Sequence, residues 1–186
     1  MCSSDLNVAR CSGEVVLAAG AINSPQILML SGIGPADHLR DLDIEPLVDL
    51  PVGEGLQDHP AIMMIYDSLQ TGSLDEAERP QHLFRWLARR DGMASSNIAE
   101  AGGFVKTRDD LDRADIQFHF GPVYFADHGF ETYDGNAFTF GPTLISPESR
   151  GRILLRSRDP VDKVRIEGNH LAADNDVRSL VEGVKI

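Results

Sequence analysis

From Gly20 to Gly34 the chain reads Gly-Ala-Ile-Asn-Ser-Pro-Gln-Ile-Leu-Met-Leu-Ser-Gly-Ile-Gly, and no other stretch limits the possible folds so tightly. Residues 14–19, Glu-Val-Val-Leu-Ala-Ala, lead into it as a short apolar run rich in β-branched side chains. That is the pattern of a strand buried on both faces of a parallel sheet. Gly20 and Ala21 keep the backbone bare at the strand end. Asn23 or Ser24 is expected to cap the next helix, with Pro25 in its first turn, where a missing N–H costs nothing. The helix is expected over residues 26–31. Gly32 and Gly34 then permit positive φ at its end, and Pro35 stops it.

Beyond this βα unit, residues 36–42 read as a short helix with Asp37 in its first turn, and residues 44–48 as a short extended piece. Proline and glycine density over residues 50–60 predicts a loop, and a domain boundary is expected near Pro60. Residues 61–67 are apolar and extended. Residues 69–79 form a polar stretch, either a mobile lid or a surface connection. Residues 80–90 are expected to be helical, with Leu83, Phe84 and Leu87 on one face and Trp86 beside them. The second half changes character: residues 104–106, 116–120, 137–145 and 152–156 alternate or run apolar over strand lengths between Gly, Pro and Asp turns, which suggests an antiparallel sheet. Residues 164–167 add a short edge strand. A helical period returns over residues 174–185 through Val177, Leu180, Val181 and Val184.

The chain has 186 residues, enough for one core or for parts of two domains. Its 42% hydrophobic and 25% charged residues are ordinary for a globular protein. The net charge of −12 argues against nucleic acid or an anionic membrane surface as a partner. No run approaches a membrane span, so no transmembrane segment is expected. Cys2 and Cys11 have neither metal-ligand nor disulfide-scaffold spacing, which fits a reducing, cytoplasmic setting. Residues 1–6 have no signal-peptide character. One reverse translation of them is a common sequencing-library adapter, so residues 1–12 are read as non-native or leader residues at the start of a fragment.

With its flanks, the Gly20–Gly34 run resembles the second signature of the glucose-methanol-choline (GMC) family of FAD-dependent oxidoreductases: a small residue, two residues, Ser-Pro, apolar pairs, then Ser-Gly-apolar-Gly. Every fixed position is met. Further similar segments are Val52-Gly53-Glu54-Gly55-Leu56-Gln57-Asp58-His59, Glu100-Ala101-Gly102-Gly103-Phe104, Asp127-His128-Gly129 and Pro147-Glu148-Ser149-Arg150-Gly151. Together they cover the chain from about Gly13 to Leu171. Gly55 stands where many members have Asn, and Asn169-His170-Leu171 replaces the usual Asn-Tyr-Leu. The family's Gly-x-Gly-x-x-Gly turn for the FAD pyrophosphate and its C-terminal catalytic histidine segment do not occur in this sequence. The resemblance therefore implies an internal piece of a longer enzyme that is inactive by itself. Its implied fold is α/β plus α+β: part of an FAD-binding Rossmann-like domain over residues 13–60, then a substrate-binding domain with a mostly antiparallel sheet over 61–172, and a helix over 173–186 returning toward the catalytic segment.

Ala19 and Gly20 are the expected cofactor-binding residues, because a strand end without bulk lets backbone approach a bound dinucleotide; the alternative is a tight turn with no ligand. By resemblance to choline-oxidising members, Glu100 matches a substrate-pocket glutamate that attracts a cationic head group; its other reading is a solvated acid at a strand start. Likewise by resemblance, His128 matches a pocket histidine that hydrogen-bonds the substrate hydroxyl, the principal base being the absent C-terminal histidine; its other reading is a loop histidine with no catalytic role. Asp58 and His59 are read as fixing a loop, and Arg150 as tying a turn to carbonyls. Alternation places His119 on the strand face opposite Phe118 and Phe120. A metal site from His59, His119 and His128 is not expected. The implied reaction is oxidation of an alcohol CH–OH to an aldehyde by hydride transfer to FAD, with a quinone, dye or oxygen as electron acceptor and a homodimer as a possible assembly. A flavin-dependent hydroxynitrile lyase and a non-catalytic binding module are the alternative readings.

Overall fold

A computed structural model describes residues 8–69 and 72–186. Residues 1–7, the first part of the 1–12 stretch read above as non-native or leader residues, and Gln70 and Thr71 of the polar stretch lie outside the described residues. In chain order the elements are α1 (Gly20–Leu30), β1 (Ile33–Gly34), α2 (Ala36–Arg40), β2 (Val48–Asp49), β3 (Glu54–Leu56), β4 (Met64–Asp67), α3 (Pro80–Arg89), β5 (Ala101–Val105), β6 (Ile116–Gly121), β7 (Ala137–Leu144), β8 (Gly151–Leu154), β9 (Arg165–Glu167) and α4 (Asp174–Lys185). They fall into two compact units: the described residues up to Leu56 with Gly151–Glu167, and Gln57–Arg150 with Gly168–Ile186. Mixed α/β content with antiparallel sheets agrees with the fold class read from the sequence.

The first unit is built on α1. Met29 and Leu39 are fully buried against Ile153, Leu155 and Val164, with Leu30, Leu42, Val52 and Leu56 at the margin. Each such side chain contributes about 1.5–3 kcal/mol. The small parallel pair β1–β2 and the antiparallel set β3-β8-β9 flank this core. The sequence pattern of β8 and β9 suggests membership of the large antiparallel sheet, but Gly151–Leu154 pairs with β3 and β9 instead. Local alternation specifies a strand without naming its partner.

Three local expectations are corrected here. Residues 14–19 form no strand among the described residues, and Val15 and Val16 are each 76% exposed. A doubly apolar strand needs a neighbour on each side, and no described segment supplies one. Secondly, α1 begins at Gly20 rather than at residue 26, with Pro25 inside it and no side-chain cap. Ser24 Oγ instead accepts the Ala19 N–H at 3.1 Å. Thirdly, Gly32 has φ +82 and ends the helix as expected, whereas Gly34 has no positive φ. A Cβ on Gly34 would meet Met29 Cγ at 2.9 Å, so close packing requires that glycine.

The second unit is an antiparallel sheet in the order β4-β7-β6-β5. Directly opposed residues share a face, so Phe120 and Phe140 lie on the same face as Phe118 and Pro142, and the diagonal pair Phe118 and Phe140 stacks at 4.9 Å. That face is covered by α4, whose Leu180 packs with Ile116, Phe118 and Leu144. The buried side of α4 is Asp176, Ser179, Leu180 and Gly183; of the predicted stripe only Leu180 is buried among the described residues, and Val177, Val181 and Val184 are 40–45% exposed. Gly183 explains the rotation, because a Cβ there would sit 3.0 Å from Pro142 and 3.3 Å from Ile116. Helix α3 forms where expected, but Leu83, Phe84 and Leu87 are exposed.

Candidate functional site

Because α4 covers the Phe118 face, the opposite face of the sheet is left for other uses. His119 stands on it, with Gly102 of β5 and Gly141 of β7 opposed to it on either side. A Cβ on Gly102 would run into the Phe118 carbonyl at 2.5 Å, and one on Gly141 would collide with the Ile62 carbonyl, so both positions require glycine. The imidazole is thus flanked on both neighbouring strands by glycine. It lines a recess of about 240 Å³ with Met63, Ile98, Ala99, Val123 and Phe125. Phe120, Gly121 and Thr139 complete the lining, which contains no acidic residue. Among the described residues the His119 ring has no hydrogen-bond partner.

The walls of this recess are held in place. Thr139 Oγ1 donates to the Val123 carbonyl at 2.7 Å and accepts the Phe125 N–H at 3.1 Å. The Tyr124 N–H donates to both Asp75 carboxylate oxygens at 3.1 Å. Buried Ser73 lies between the Pro122 and Ala137 carbonyls and bonds to Asp75. The polar stretch before α3 is therefore a connection pinned to the sheet at Ser73–Asp75. On the opposite wall, Ile98 has φ +71, a left-handed conformation that strains a β-branched residue. Strain of about 1–3 kcal/mol persists only where its surroundings enforce it.

Glu100 and His128 lie on the two turns next to this recess, and both are exposed. Glu100 directly follows the lining residues Ile98 and Ala99, and its carboxylate accepts Ser96 Oγ at 2.6 Å. His128 has φ +57 in a turn whose Gly129 lies close to the Phe125 ring, a Cβ there falling 3.6 Å from it. Neither side chain is among the lining residues. His119, which lines the recess, is not among the site residues that the sequence singles out. The alternation of β6 showed that it opposes Phe118 and Phe120, but only the placement of α4 shows which face is open. His59 does not join it; its N–H donates to its neighbour Asp58 at 2.8 Å. Arg150 Nη1 donates to the carbonyls of Pro147 and Ser149 at 2.7 and 3.0 Å, as read from the sequence.

In the first unit, Ala19 and Gly20 form an exposed N-terminus of α1. Ala19 gives no side-chain cap, and a Cβ on Gly20 would meet nothing within 4 Å. The first-turn N–H groups are therefore uncovered and the backbone is bare, which fits close approach by an anionic dinucleotide such as FAD.

Three further groups act inside the units. Asp176, 2% exposed, accepts the Glu148 and Ser149 N–H groups at 2.7 and 2.8 Å and so fastens α4 to the 147–150 turn. Burial pushes its carboxyl up, but hydrogen bonds from Ser149 and the Glu148 backbone, with the Arg150 charge, outweigh that and hold it below the ordinary value. Burial likewise raises Asp115, and bonds from Thr107 and Ser179 bring it below the ordinary value. In the first unit His38 Nε2 accepts the Leu155 N–H at 3.1 Å. Burial lowers its pKa, and Arg165 and Arg152 add to that against the opposing effect of Asp41.

Residues 4–61 match the family described as GMC oxidoreductase. The chain is 41% identical over 181 residues to an alcohol dehydrogenase [acceptor] of Pseudomonas putida, covering 94% of this chain and 33% of that protein. It is 38% identical over 186 residues to an oxygen-dependent choline dehydrogenase of Staphylococcus xylosus, covering 93% and 32% respectively. A solved formate oxidase of Aspergillus oryzae, studied for FAD modification, superposes with TM-score 0.79 at 25% identity over 89% of this chain and 34% of its own. The chain thus spans about a third of the length of the curated relatives it matches. Among the described residues, no helix is long and apolar enough to cross a membrane.

Proposed function

Since the chain belongs to the GMC oxidoreductase family, we propose that it is the part of an FAD-dependent oxidoreductase that receives an alcohol and oxidises its CH–OH group to an aldehyde. FAD, when bound, supplies the two-electron acceptor for the α-hydride, and a quinone, dye or oxygen takes the electrons onward. Ala19 and Gly20 are the positions assigned to its close approach in the first unit. In the second unit the recess takes the alcohol. The observation that carries this reading is the His119 imidazole, a hydrogen-bonding group with no partner among the described residues, set in an apolar recess.

An alcohol hydroxyl satisfies that ring, and the ring in turn fixes the hydroxyl and stabilises negative charge that develops on its oxygen. The apolar walls exclude water from the reacting carbon. Glu100 and His128, on the flanking turns, are assigned to the rim, where His128 can add a second hydrogen bond to the substrate. Residues 13–60 and 61–172 are proposed as the cofactor and substrate portions, with Gly151–Glu167 packed in the first unit, and residues 173–186 as a helix returning toward the catalytic segment. A cytoplasmic setting and a homodimer complete the proposal.

The test is alcohol oxidation by the full reading frame that contains these residues, loaded with FAD and assayed with a dye acceptor and with oxygen. Removing the imidazole in His119→Ala is expected to lower kcat/KM about 100-fold, the usual scale for one positioned hydrogen-bonding group at a reacting oxygen. An unchanged kcat/KM would remove His119 from the site. Cyanide release from a cyanohydrin without any acceptor would point to the lyase chemistry instead.

A further inference from the structure

The lining of the His119 recess also bears on which alcohols it admits, an inference that rests on the proposed alcohol site. Among the described residues nine line it and none of these is acidic. Met63, Ile98, Ala99, Val123 and Phe125 offer only hydrocarbon, a ring and a thioether, and Thr139 Oγ1 is already engaged by Val123 and Phe125. The nearest candidate carboxylate in sequence, Glu100, is exposed and bonded to Ser96. We propose that this recess selects uncharged alcohols with an apolar body, ring-sized or of medium chain length, and rejects quaternary ammonium alcohols, with Ile98, Val123 and Phe125 as the residues that set the choice.

The magnitudes decide between the two substrate classes. A cation over one aromatic face gains about two- to thirtyfold in affinity. Desolvating that cation without a carboxylate costs on the order of a thousandfold or more, so a phenylalanine wall alone does not hold it. An uncharged alcohol has no such penalty. Each methylene placed against these walls adds about fourfold in affinity. A dry apolar cavity of roughly 150 Å³ accommodates benzene, so about 240 Å³ has room for benzyl alcohol or a chain of similar bulk.

Binding without turnover tests this independently of the oxidoreductase reading. With methionine methyl groups labelled in the full-length protein, benzyl alcohol and the series from 1-propanol to 1-hexanol are titrated against the Met63 resonance, and choline is titrated in parallel. The expected result is a saturable Met63 shift whose affinity rises about fourfold per methylene, with no choline shift at the same concentrations. Val123→Glu is expected to weaken benzyl alcohol at least tenfold and to admit choline, and Phe125→Ala to weaken benzyl alcohol while leaving choline excluded. Spectra of each variant report that the sheet is intact. Choline binding to the unaltered protein as tightly as benzyl alcohol, or no saturable shift with any alcohol, overturns the proposal. Saturable alcohol binding without oxidation of any alcohol leaves it standing and removes the proposed function instead.

Discussion

Two residues illustrate how single positions in this chain trade stability against use. Ile98 holds a positive φ while its side chain is 57% exposed, so the strained backbone is not offset by deep burial. Glycine adopts that conformation without a steric cost and loses part of the gain through its greater freedom in the unfolded chain. Ile98→Gly is therefore expected to raise stability by about 1 kcal/mol in urea unfolding while weakening alcohol binding in the recess. A drop in stability would show that the conformation is not strained. Asp176 lies at the other extreme. Asp176→Ala leaves two buried N–H groups, of Glu148 and Ser149, without their acceptor and is expected to cost about 2–4 kcal/mol. An exchange experiment should show faster amide exchange along α4 and the 147–150 turn, with β5 and β6 less affected.

At the level of elements, periodicity located α3, β4, β6, β7 and α4 within a residue or a few, because each carries a period that its environment uses. It failed where the environment lies outside the segment. The 14–19 run reads as a buried strand, yet no described residue pairs with it. The valines of α4 read as its buried face, yet Ser179 and Gly183 let the helix approach the sheet on another side. His119 was visible as facing away from its phenylalanine neighbours, but not as facing an open recess. Helix α3 shows the same limit: Leu83, Phe84 and Leu87 form the predicted apolar face and are 49–72% exposed. Such a face promotes association rather than folding. Replacing all three by serine is expected to reduce concentration-dependent light scattering of the chain and to change its unfolding midpoint little; a large fall in that midpoint would show that the face is covered.

Across the whole molecule, each unit is held internally by a group that titrates in its own range. The lowered His38 pKa means that its neutral form belongs to the folded state, so its contribution is present above about pH 6.5 and is lost as pH falls below that value. Protonation removes the acceptor for the Leu155 N–H. The lowered carboxyls of Asp115 and Asp176 keep their contribution until pH falls through the carboxylate range, below about 4. Acidification is accordingly expected to loosen the first unit as pH falls below about 6.5 and the second only below about pH 4, read from the backbone resonances of Leu155 and Ser149. Loss of both together would show that neither group governs its unit. The chain passes between the units three times, after Leu56, after Arg150 and after Glu167. A protease that nicks one of these crossings leaves two peptide connections intact. Native gels of singly cleaved protein should therefore still show one species, and the pieces should part only when a denaturant dissolves β3-β8 pairing and the α4 docking that hold the cut ends.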